Sequence, residues 1–199
     1  MIFARTFLVF LLFAFPSFLF PAERDKAVNT VQYVRLGPVE KEIFVLINND
    51  RRQRGLSPVS LSPSLCYVAQ CHVRDLAENN PSGRLCNLHS WSDKGPWSPC
   101  CYTGDHKKAP CMWSKPAELT KYKSEGYEIA YWTNELLSPE DFAVKAVRGW
   151  RNSPDHYEVI INKGMWSSVQ WKAMGIGYYK GYAVVWFGAE PDVEQLVKD

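Results

Sequence analysis

No run of lysine and arginine interleaved with aromatic residues occurs in this 199-residue chain, and its formal net charge is only +2. A nucleic-acid surface needs a concentrated basic patch, so nucleic acid is excluded as the expected partner. The His-Glu-x-x-His helix of familiar zinc proteases is absent, as is the Gly-x-Ser-x-Gly elbow of serine hydrolases. No internal repeat and no low-complexity segment is present. No cysteine precedes Cys66, which speaks against a lipoprotein-type N-terminus. Histidine is scarce, at four residues, so each one can be weighed singly.

What the chain does have begins with a leader. Arg5 supplies a positive start, and Phe7-Leu-Val-Phe-Leu-Leu-Phe-Ala-Phe15 is an unbroken apolar run of secretory type. We read residues 1–22 as a signal peptide. An uncleaved anchor is the competing reading, because cutting after Ala22 leaves bulky Phe20 at the minus-three position. The run from Thr6 also approaches the about 20 residues that span a bilayer. Removing Arg5 with the leader takes the net charge to +1, and the remaining length suits one domain with a sizeable core. The expected localisation is secreted or extracellular, periplasmic in a bacterium, with membrane contact only through an uncleaved leader. Six cysteines follow: Cys66, Cys71, Cys86, Cys100, Cys101 and Cys111. In an oxidising compartment they read as up to three disulfides of open connectivity. Adjacent Cys100 and Cys101 are expected to take different partners. Cys66 and Cys71 lie five apart on one helix, on different faces, and are expected to pair elsewhere. A zinc site built from these cysteines fits less well, since two Cys-x-x-Cys pairs are lacking.

The periodicity predicts helices first and strands last. Residues 23–37 form a polar lead-in. From Pro38, the residues Val39, Ile43, Leu46 and Ile47 make a helical stripe, with Lys41, Glu42, Asn48 and Arg51 off it and Gly55 as the stop. Ser62-Pro63 opens a second helix whose apolar stripe carries His72. A histidine there is expected to be a buried, hydrogen-bonded core residue outside the site. Residues 84–125 hold four cysteines and little periodicity, and they read as a long loop ordered by disulfides. His106 falls within it, at an expected solvated position. Ser138-Pro-Glu-Asp141 starts a third helix and Ser153-Pro154 a fourth. Residues 171–179 and 182–187 alternate as two strands joined by a tight Lys180-Gly181 turn. Gly175 and Gly177 share one strand face, where a helix or a tryptophan is expected to pack. The order argues for an α+β layered domain over residues 38–190, with residues 191–199 as a tail.

Three residues carry the chemistry. His89, Glu128 and His156 sit in the phrases Asn87-Leu-His-Ser-Trp91, Gly126-Tyr-Glu-Ile-Ala130 and Trp150-Arg-Asn-Ser-Pro-Asp-His156. Two imidazoles and a carboxylate can hold a divalent metal, Zn²⁺ or Mg²⁺, and leave one position open. Two other readings use the same residues. Ser153, His156 and Glu128 make a Ser/His/Glu arrangement on paper, although Ser153 before Pro154 is more simply a helix cap. Alternatively, the three groups merely satisfy one another in a polar core cluster.

These phrases, in this order, resemble the CAP superfamily of cysteine-rich secretory, antigen-five and pathogenesis-related proteins, in its bacterial-type branch. Ile47-Asn-Asn-Asp-Arg-Arg-Gln-Arg-Gly-Leu56, Leu88-His-Ser90, the phrase ending at His156, and Met174-Gly-Ile-Gly-Tyr178 with Val185-Trp-Phe-Gly188 carry the resemblance. It implies a three-layer α-β-α sandwich with an antiparallel sheet, a disulfide-rich loop and a cleft lined by two histidines and two acids. His89, Glu128 and His156 match three of these, and Ser153 stands where the second acid usually lies. A hydroxyl is a poorer ligand than a carboxylate, so the substitution argues against strong divalent-metal binding. The resemblance implies a monomeric extracellular binding protein for a lipid, sterol, other small molecule or protein. A secreted hydrolase or protease using the same cluster is the alternative.

Overall fold

The computed structural model describes residues 34–194. The expected leader 1–22, the lead-in up to residue 33 and residues 195–199 of the tail lie outside the described residues. Among the described residues, no helix is long and apolar enough to cross a membrane.

Helix α1 (Pro38–Gln53) buries Val39, Ile43 and Ile47, and the chain leaves it through Gly55 at φ +73°. Asn48 and Arg51 are buried too, although they fall off the apolar stripe. Each is buried because it bonds backbone elsewhere. Asn48 exchanges two hydrogen bonds with Val59, and Arg51 donates to Ser57 O, Ile160 O and Asn162 Oδ1. The short strand β1 (Ser60–Leu61) leads into α2 (Pro63–Asn79). Ser62 caps α2 by accepting from Leu65 N–H at 3.0 Å. Asp192 braces the same end, accepting from the Ser62 hydroxyl at 2.5 Å and from Ser64 N–H at 2.8 Å.

The cysteine-rich stretch contains two short helices that the pattern did not announce, α3 (Ala109–Trp113) and α4 (Lys115–Leu119). Strand β2 (Gly126–Trp132), also not anticipated as a strand, follows. Then come α5 (Pro139–Arg151), α6 (Pro154–Ile161), a 3-10 turn at Gly164–Trp166, and the hairpin strands β3 (Ala173–Tyr179) and β4 (Tyr182–Gly188). Lys180 and Gly181 both take positive φ, 46° and 81°, as a two-residue hairpin turn requires.

The sheet order is β1-β3-β4-β2, antiparallel except where β1 runs parallel to β3. Alternation along the strands sends two sets of side chains to opposite faces. Ile129, Met174, Ile176, Val185 and Phe187 pack on α1, α5 and α6, while Ala130, Ala173, Val184 and Trp186 pack on α2 and the cysteine-rich stretch. The result is the expected helix-sheet-helix sandwich. Gly175 and Gly177 lie directly under α2. A Cβ on Gly175 falls 2.0 Å from Leu65 C, and one on Gly177 falls 2.5 Å from Ala69 C.

Two disulfides form, Cys86–Cys101 and Cys100–Cys111, so the adjacent cysteines do take different partners. The expectation for Cys66 and Cys71 is corrected: both remain thiols. Once the other four have paired, each has only the other as a mate, and they occupy different sides of α2. Burial pushes the Cys66 thiol up to about 12 and the Cys71 thiol to about 11.

Candidate functional site

Glu128 sits on β2, which is an edge of the sheet, opposite Trp186 of β4. Its side chain falls on the face covered by α2. There its two oxygens meet two different imidazoles. Oε2 lies 2.5 Å from His72 Nδ1, and Oε1 lies 2.7 Å from His89 Nδ1. Burial alone raises the Glu128 carboxyl; the charge and hydrogen bond of His72, then those of His89, outweigh it and hold the group below its ordinary value.

His89 belongs to the cysteine-rich stretch. Its backbone N–H donates to Asn87 Oδ1 at 3.0 Å, and its ring lies 5.2 Å from that of Tyr102. Because Nδ1 faces a carboxylate oxygen, which accepts only, Nδ1 carries a proton, and in the neutral ring Nε2 is the nitrogen left to accept. Helix α6 brings His156 into the same space, with its ring centroid 6.4 Å from that of His89. Burial first, and the nearby His89 second, lower the His156 pKa; Asp155 and Glu128 pull the other way. Arg51 sets where α6 ends by donating to Ile160 O at 2.7 Å. Burial lowers that guanidinium to about 10.

His89, Tyr102, Glu128, Ser153 and His156 share one cleft of about 630 Å³. Its other walls are largely apolar: Met112 and Trp113 from α3, Tyr127 from β2, Val159 from α6, and Met165 and Trp166 from the 3-10 turn. That volume falls within the usual range for small-molecule sites. The four residues expected at the cleft are thus brought together.

Their roles differ from those expected. Glu128 does not orient His156: its side-chain hydrogen bonds run to His72 and His89, and none runs to His156. Ser153 occupies the cap position of α6, but its hydroxyl makes no capping bond, and none joins it to His156. The Ser/His/Glu arrangement is therefore not assembled. Neither is a three-ligand metal site. Glu128 stands behind His89, not beside it, and among the described residues no three His, Cys, Asp or Glu side chains are grouped to hold an ion.

Two histidines set aside in the sequence are adjacent to the site. His72 is buried and hydrogen-bonded as expected, yet its partner is the site carboxylate itself. His106 is exposed, but it lines the cleft mouth with Nδ1 2.9 Å from the Tyr102 hydroxyl. Periodicity reports which face a residue occupies and says nothing of its partner, so neither contact had a signal in the sequence.

The model of the cysteine-rich secretory protein family, CAP, matches residues 44–186. The chain belongs to this family. Two solved structures share its fold. An extracellular protein containing an SCP domain from Bacillus anthracis is 18% identical with a TM-score of 0.53, over 79% of this chain and 45% of its own. An outer surface protein from Borrelia burgdorferi is 19% identical with a TM-score of 0.51, over 78% of this chain and 95% of its own. The CAP chain thus spans less than half of the B. anthracis protein. No curated protein matches it.

Proposed function

We propose that this CAP protein is a secreted, monomeric, non-enzymatic binding protein whose cleft takes an extracellular amphiphile such as a lipid or sterol. One observation carries the reading: a cleft with a largely apolar surface also holds the side chains of His89, His156 and Ser153. Met112, Trp113, Tyr127 and Trp166 offer dispersion contacts and apolar surface to a hydrocarbon body. The Nε2 of His89, the ring of His156, whose pKa burial lowers, and the hydroxyl of Ser153, which makes no capping bond, suit a polar head. No activated nucleophile accompanies them, which favours binding over hydrolysis. The leader and the two disulfides support export.

The test uses the folded, oxidised protein and a panel of fatty acids, lysophospholipids and sterols, with quenching of tryptophan emission as the signal. Binding by the parent and its loss in Met112→Trp, which fills cleft space, is the expected result. Equal binding by both proteins places the ligand elsewhere, and hydrolysis of a lysophospholipid that depends on His156 would replace this reading with an enzymatic one.

A further inference from the structure

His72 touches three groups beside His89: the Ser90 carbonyl, the Glu128 carboxylate and the Trp91 ring. Its Nε2 lies 3.0 Å from Ser90 O, the carbonyl next to His89 in the chain. Its Nδ1 lies 2.5 Å from the carboxylate that grips the His89 ring. Its ring stacks on Trp91 at 4.2 Å and 6°, one residue further along. A carbonyl oxygen only accepts, so Nε2–H donates to Ser90. The close contact on the other side then needs one proton shared between Nδ1 and Oε2. His72 and Glu128 are both shielded from solvent. Such a contact is strong there because water does not compete for it.

We propose that His72 is a positioning residue that locks His89 in the Nδ1–H tautomer and so presents Nε2 to the cleft as a hydrogen-bond acceptor. It acts through two routes at once, the backbone of Ser90 and the carboxylate of Glu128. With its Oε2 held by His72, Glu128 has Oε1 left to accept from His89. A ligand head meeting His89 is then a donor, a hydroxyl or an ammonium. This assignment deepens the binding reading and rests on the cleft being the site, but the tautomer is read in the free protein. Failure of one is therefore distinct from failure of the other.

The experiment is long-range ¹H–¹⁵N correlation of the histidine rings in three folded proteins: the parent, His72→Asn and His72→Gln. The asparagine amide nitrogen takes the place of Nδ1 and keeps the bond to Glu128. The glutamine amide nitrogen takes the place of Nε2, keeps the bond to Ser90 and gives up the one to Glu128. The parent and His72→Asn are expected to hold His89 as Nδ1–H, whereas in His72→Gln that form falls by about twofold or more. Should either variant fail to fold, His72→Phe, which keeps the stack on Trp91 without nitrogen, is compared with the parent and is expected to lose the preference as well. The same His89 tautomer in all proteins, with only the melting temperature changed, reduces His72 to a structural residue. An Nε2–H form in the parent overturns the proposal outright.

Discussion

Glu128 is one carboxylate serving two imidazoles with its side chain shielded from solvent, and its removal is costly. Glu128→Gln leaves one of the two ring nitrogens facing an amide N–H, and a broken buried pair of this kind costs about 3–5 kcal/mol. Urea unfolding at neutral pH is expected to report a loss of that order. The carboxyl sits below its ordinary 4.5 in the folded chain, so the unfolded chain binds the proton more readily. Its stabilisation is therefore complete above 4.5 and is lost as pH falls through the folded-state pKa, and the gap between parent and Glu128→Gln narrows in that acidic range. His156 behaves similarly at higher pH. Its pKa is lowered from 6.5, so folding favours the neutral ring, and stability declines as pH drops from 6.5 toward the folded-state value. An NMR titration is expected to find the His156 midpoint below 6.5, and His89→Asn, which removes a neighbour whose protonated form disfavours a second charge, is expected to raise it. The three site residues were legible because each stands in a distinctive phrase. The pairing of Glu128 with His72 was not, because the two are 56 positions apart and only the sheet and α2 bring them together.

At the scale of elements, α2 is the keel of the site, since it carries His72 and rests on two glycines. Gly175→Ala drives a Cβ into the backbone of Leu65 and Cys66, and backbone cannot rotate away as a side chain can. Overpacking of that kind typically costs about 1–3 kcal/mol, and a contact with backbone belongs at the upper end, so we expect a melting temperature below the parent's with weakened ligand binding. Most helix starts could be read directly, because Ser62, Ser138 and Ser153 each precede a proline and all three begin helices. Strand β2 escaped notice for a physical reason. Its α2-side face carries Glu128, so the run lacks the clean apolar alternation of an ordinary strand. Helices α3 and α4, five residues each, are too short to show a period. Their positions are set instead by the disulfides and by buried Lys115, which donates to Ser98 O and Glu118.

For the molecule as a whole, the cleft has two unlike walls. One is the stretch holding His89, Tyr102 and Met112, cross-linked by Cys86–Cys101 and Cys100–Cys111. Closing loops of this size stabilises by about 3 kcal/mol each. The double variant Cys100→Ala/Cys111→Ala is expected to lose about that much in urea unfolding and to bind the cleft ligand less tightly. The other wall, α6 with Met165 and Trp166 of the 3-10 turn, has no covalent tie, and Met165 is largely exposed. Hydrogen exchange is expected to be faster over residues 162–168 than over 109–113. In the proposed binding role the cavity is a vice with one fixed jaw: the cross-linked side is expected to set the shape a guest must match, and the untethered side to yield as it enters and leaves.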